Sequence, residues 1–142
     1  MNWYKIANQV TMKATLKKTK AGFYYLDIPN DFSSSFLSLI EDESKEKAPY
    51  DVKEFNNVGC HISVMSSDDL GEGTKVKEVG KEFSFKLNEL KYLNPEGWDE
   101  MDRVWIMTVD SPELEQLRAS YGLSRKNHGH EFHITVAVRS KK

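Results

Sequence analysis

A histidine followed by an apolar residue, a hydroxyl residue and a second apolar residue occurs twice in this chain. His61-Ile62-Ser63-Val64 lies within "GCHISVM", and His133-Ile134-Thr135-Val136 lies within "HEFHITVAV". Chance places such a pattern after a given histidine on the order of one time in forty, and here it follows two of four histidines. In an extended strand, residues i and i+2 project from the same face. His61 and Ser63 therefore share a face, with Cys60, Ile62 and Val64 opposite. In the later stretch His133 and Thr135 share a face, and Phe132, Ile134, Val136 and Val138 form the other. Burial of an apolar face accounts for half of each pattern and leaves the imidazole and hydroxyl unexplained.

Imidazole changes charge near neutrality, so two of them on one cleft can divide acid and base work. One ring takes a proton from the nucleophile and the other protonates the leaving oxygen. The hydroxyls of Ser63 and Thr135 can donate to non-bridging phosphate oxygens, where negative charge accumulates. That is phosphodiester chemistry, and it needs no metal. Which histidine is base and which is acid depends on substrate direction, and the sequence leaves it open. Two other readings stand beside this one. The same cleft would serve a non-catalytic nucleotide- or RNA-binding module, and strand histidines in a purely structural domain simply donate to backbone carbonyls.

Further residues invite weaker readings. Tyr25, opposite in face to Leu26, can stack a base at the cleft mouth or belong to the core. Trp98 is equally ambiguous, whereas Trp105 inside "RVWIMTV" reads as packing. Arg125 and Lys126 precede the second motif and reach phosphate oxygens only if their loop folds over the site; otherwise they are solvated. "HGHEFH" offers His128, His130 and His133 as metal ligands, but His130 and His133 point to opposite faces of a strand and no fourth ligand is near. The expectation is no metal and no cofactor. Glu131 shares a face with His133 and either orients its ring or lies solvated. Cys60, on the core face, is a poor nucleophile.

The elements that must position these residues follow from periodicity. Residues 1–20 read as irregular or as one marginal helix. "GFYYLDI" (22–28) is a strand. A helix follows Pro29, with Asn30 or Asp31 as N-cap and Phe32, Phe36, Leu37 and Ile40 on one face. "SKEKAPYDVKEFNN" is a loop leading into the first histidine strand. After it, "SSDDLGEG" is a turn, and "KEFSFKLNEL" is a half-buried strand with Phe83, Phe85 and Leu87 inward. "NPEGWDEMD" is a turn and "RVWIMTV" (103–109) an apolar strand. "DSPELEQLRASYGL" is a helix with Ser111 as N-cap, Pro112 at its first position and Gly122 near its stop. "SRKNHG" is a loop into the last strand. Strand, helix and histidine strand thus recur in each half, a coarse duplication.

At 142 residues the chain fits one domain, residues 1–142, with two pseudo-symmetric lobes each contributing one His-x-Ser/Thr strand. Acidic and basic residues are interspersed and the net charge is −2, which argues against a duplex-DNA binder but is silent on small nucleotides. No apolar run is long enough to cross a bilayer. The first twenty residues lack a secretory leader's apolar core, and the single cysteine excludes an intramolecular disulfide framework. These features predict a soluble cytoplasmic protein without a membrane partner; they do not give its oligomeric state.

The two motifs "HISV" and "HITV", about half a domain apart, resemble the signature of the 2H phosphoesterase superfamily. "GFYYLDIPND" is similar to that family's opening strand and helix start, and "GHEFHITVAV" to its second motif. Among the branches, the chain most resembles the small phage-type swiss army knife RNA repair-like proteins. The resemblance implies a bilobed α+β fold, with two antiparallel sheets around a central cleft and helices outside. It implies a metal-independent phosphodiesterase acting on 2′,3′-cyclic phosphates, RNA ends, 2′–5′ linkages or related small nucleotides. Some phage members cleave cyclic oligonucleotide signals of bacterial defence, which makes an anti-defence role an expectation as well. The carry-over covers His61, Ser63, His133 and Thr135. Ser63 stands where threonine is commoner, a swap that keeps the hydroxyl. Strands that some members add after the second motif are expected to be absent or supplied earlier.

Overall fold

Tyr24 and Leu26 are buried while Phe23, Tyr25 and Asp27 are half-exposed, so period-two alternation makes "FYYLD" a one-sided strand. A computed structural model of the chain describes residues 11–29, 32, 36–40, 45–47, 59–71, 73–94, 101–126 and 131–140. Its strands are β1 (Met12–Lys18), β2 (Phe23–Asp27), β3 (Glu46–Lys47), β4 (His61–Ser66), β5 (Glu82–Leu93), β6 (Met101–Asp110) and β7 (His133–Ser140). The helical elements are a 3-10 turn at Leu37–Leu39, α1 (Ser67–Leu70) and α2 (Pro112–Ser120). The fold is α+β and mostly one antiparallel sheet.

The strand order is β3-β7-β4-β2-β1-β5-β6, and β6 pairs in addition with β7. Six strands therefore form a closed circuit of antiparallel pairings, with β3 added beside β7. Two sheets were the expectation; the described strands join into one. The cause is the length of β5. Its first residues, Glu82–Phe85, pair with β1, and Lys86–Leu93 pair with β6, so one strand carries the ladder across the divide.

Several local expectations change. Residues 12–18 are a strand, not an irregular segment or a helix. Ala14 and Leu16 point inward between outward Lys13, Thr15 and Lys17, a period-two signal hidden by the lysines; pairing with β2 and β5 then satisfies both edges. Glu46 and Lys47, read as loop, form β3. Residues 67–70, read as turn, make one helical turn. Of the helix expected after Pro29, Phe32 is α-helical and Leu37–Leu39 form the 3-10 turn, with Phe36 and Ile40 buried and the Phe32 and Phe36 rings 5.3 Å apart. Asn30, Asp31, Trp98, His128 and His130 lie outside the described residues.

The helix after Ser111 forms as the sequence dictates. Ser111 Oγ accepts from the Leu114 N–H at 3.1 Å, and Pro112 opens the helix. The same hydroxyl donates to the Ser84 carbonyl at 2.7 Å, which fixes α2 to β5. Leu114 and Leu117 enter a core shared with Leu16, Leu26, Ile62, Leu87, Met107 and Ile134. Trp105 and Cys60 belong to this core too. Among the described residues, no helix is long and apolar enough to cross a membrane.

Candidate active site

β4 and β7 are antiparallel neighbours through the pair Ile62↔Ile134, both fully buried. Residues flanking such a pair face the other way. His61 therefore lies across from Thr135, and Ser63 across from His133. The four residues singled out by their spacing form a two-by-two array on one face, each half-buried. The two imidazoles sit on the diagonal of that array, where backbone separations are about 7–8 Å.

Both rings are held alike. His61 Nδ1–H donates to the Gly59 carbonyl at 2.7 Å, and His133 Nδ1–H donates to the Glu131 carbonyl at 3.1 Å. Each ring is thus braced by the carbonyl two residues before it. A donor at Nδ1 leaves Nε2 as the basic nitrogen. Gly59 has a φ of +74°, a left-handed conformation that glycine adopts without strain, and its carbonyl is the one that meets the ring. Glu131 orients His133 by its main chain; its carboxylate goes to Lys91 Nζ at 3.4 Å.

Each motif strand also carries a bulge at the same motif position. Tyr24 pairs with Met65 and Tyr25 with Ser63, so the register skips Val64. Trp105 pairs with Ala137 and Ile106 with Thr135, so it skips Val136. An extra residue reverses the alternation beyond it. Met65 and Ala137 accordingly join the main core beside Val64 and Val136. Val138, expected on the face of Ile134, packs instead with Val104 and Ile106 in a separate cluster. No sequence pattern announced either bulge.

The surroundings of the two histidines differ. Phe23 and Tyr25 stack on each other at 5.6 Å, and both meet His61 edge-on, at 5.6 and 6.0 Å. Tyr25 is thus at the site, and Phe23 joins it, a residue the sequence reading overlooked although the alternation in "FYYLD" places it on the same face. Asp27, opposite His61 in the register, pairs with Lys17 at 2.8 Å at the exposed rim. Thr108, opposite His133, is fully buried. Its hydroxyl accepts from the Glu89 N–H at 3.1 Å, and Glu89 lies in the irregularity where β5 and β6 shift register. Burial pushes the His61 pKa below its usual 6.5, against the bond to Gly59, and the nearby His133 lowers it further. His133 is thus close enough for its charge to act on the His61 ring. Arg125 and Lys126 are exposed.

A family model described as Swiss Army Knife, 2H phosphoesterase domain, matches residues 24–142 and so includes both motifs. The chain belongs to the 2H phosphoesterases. Comparison with curated proteins and with solved structures gives no match. For a 2H phosphoesterase the general reaction is hydrolysis of a phosphodiester bond, which makes this protein a hydrolase. The paired motif strands of this 2H phosphoesterase meet through Ile62 and Ile134 and present matching rings and hydroxyls to one face.

Proposed function

We propose that this 2H phosphoesterase hydrolyses a small nucleotide or RNA-end phosphodiester, as a 2′,3′-cyclic phosphate, a 2′–5′ linkage or a cyclic oligonucleotide. His61 and His133 are the general base and acid. The observation that carries the reading is the diagonal placement of two imidazoles whose Nδ1–H groups are both committed to carbonyls. The depressed pKa of His61 suits it to be the base, because its ring is neutral at physiological pH. In this reading His61 Nε2 takes a proton from the attacking water. The water oxygen bonds to phosphorus, the bond to the leaving oxygen breaks, and protonated His133 supplies that oxygen's proton. Ser63 and Thr135 donate to the non-bridging oxygens as charge builds there. Phe23 and Tyr25 offer a flat apolar wall on which a base stacks beside His61. The two halves then act as two lobes, each contributing one His-x-Ser/Thr strand; matched bulges and matched ring anchors support this.

The test is turnover of 2′,3′-cyclic nucleotides, 2′–5′ oligoadenylate and cyclic oligonucleotides with EDTA present. His61→Ala and His133→Ala should each reduce kcat by about 10²–10⁴-fold while keeping the circular dichroism spectrum of the parent. Activity that survives both substitutions would overturn the mechanism. Tight binding of these nucleotides without turnover would make the protein a binding module.

A further inference from the structure

We propose that Arg118 is a positioning residue for this reaction, acting from the protein interior on the aim of the first motif strand. The kinetic part of the inference rests on the phosphodiesterase reading above; the structural part does not. Arg118 sits on α2 and is only 3% exposed, beside the inward Leu114 and Leu117. A leucine would fill such a place, so the guanidinium needs a different account. Its Nη1 donates to the Val64 carbonyl at 2.7 Å, and its Nε donates to the Ser124 carbonyl at 2.7 Å.

Val64 is the residue that the β2–β4 register skips. A bulged residue bends its strand and takes its peptide out of the regular ladder, and a buried carbonyl there requires a donor. Arg118 supplies that donor, and with it a fixed geometry for the residue immediately after Ser63. The other side of the fork holds Ser124, whose hydroxyl donates to the Lys126 carbonyl at 2.8 Å. Residues 124–126 begin the segment that runs to the second motif. One side chain therefore ties the bulge of the first motif to the approach of the second. Only a planar fork donates in two fixed directions at once; lysine is a single point charge. Burial of this guanidinium lowers its pKa and Asp69 counters the shift, so the cation is kept inside with a carboxylate near.

The test uses the full chain with Arg118→Met, which keeps length and apolarity, and Arg118→Lys, which keeps one donor. The expected result for Arg118→Met is a kcat lower by about 10- to 100-fold with KM within about threefold, and an intermediate kcat for Arg118→Lys. In histidine-labelled NMR spectra, the His61 Cε1–H resonance should shift in both variants. A folded Arg118→Met protein with parental kcat, or with raised KM alone, or with an unmoved His61 resonance, overturns the proposal. Should Arg118→Met not fold, the same readouts on Arg118→Lys decide in the same way. In the wild-type protein, the Arg118 Nε–H should exchange slowly with solvent, and rapid exchange also overturns the clamp. Absence of turnover in the wild type would refute the enzyme reading, while the His61 resonance and the exchange rate would still decide the clamp.

Discussion

Two carbonyls, those of Gly59 and Glu131, set the tautomer of the histidines, because each accepts from Nδ1–H and so makes Nε2 the basic nitrogen. The ring of His61 is further enclosed by Phe23 and Tyr25, and burial lowers its pKa. This has a consequence for stability. A histidine whose native pKa lies below its unfolded value binds fewer protons when folded. Its contribution is therefore complete above pH 6.5 and is lost as pH falls through 6.5 toward the depressed native value. Urea denaturation at about pH 7.5 and about pH 5.5 should show a larger drop in stability for the parent than for His61→Gln. Equal drops would mean that burial does not act on this ring. At this scale the sequence was informative: the spacings His-x-Ser and His-x-Thr placed each imidazole on the same strand face as its own hydroxyl. Phe23 was equally visible in the alternation of "FYYLD", but the tautomers were not, because they depend on where backbone carbonyls point.

At the scale of elements, β-bulges do most to shape the site. They follow Ser63 and Thr135 directly, at Val64 and Val136, and turn the remainder of each strand over. A bulge depends on a partner strand's register, so neither could be read from periodicity, and Val138 was placed on the wrong face for that reason. β1 was missed for a different cause: Lys13 and Lys17 masked the alternation of Ala14 and Leu16. α2, by contrast, was fully legible, since cap, proline and first-turn acids are all local signals. Its cap does two jobs. Ser111 accepts from Leu114 N–H and donates to the Ser84 carbonyl. Ser111→Ala removes both bonds in a buried setting, and should cost about 2 kcal/mol of folding stability. Chemical denaturation measures this directly; a loss under about 0.5 kcal/mol would show that water replaces the hydroxyl.

At the scale of the molecule, closure of the pairing circuit is what brings the two motifs together. β4 reaches the circuit through β2, and β7 through β6, and they meet at a single pair, Ile62↔Ile134. Such long-range pairing has no local signature, which is why one continuous sheet appeared where two were expected. Strands with one apolar and one polar face were legible because they follow from alternation, whereas their antiparallel pairing was an expectation from the resemblance alone. The account's central claim is that this meeting places a base and an acid on one phosphate. The pH dependence of kcat/KM tests it most directly, because it reports the ionisations of the free enzyme. Across about pH 5 to 9 the profile should be a bell. It should rise as His61 loses its proton on the acidic side, below 6.5, and fall on the alkaline side as the general acid is deprotonated. A profile that is flat, or that has a single limb, would contradict the two-histidine mechanism.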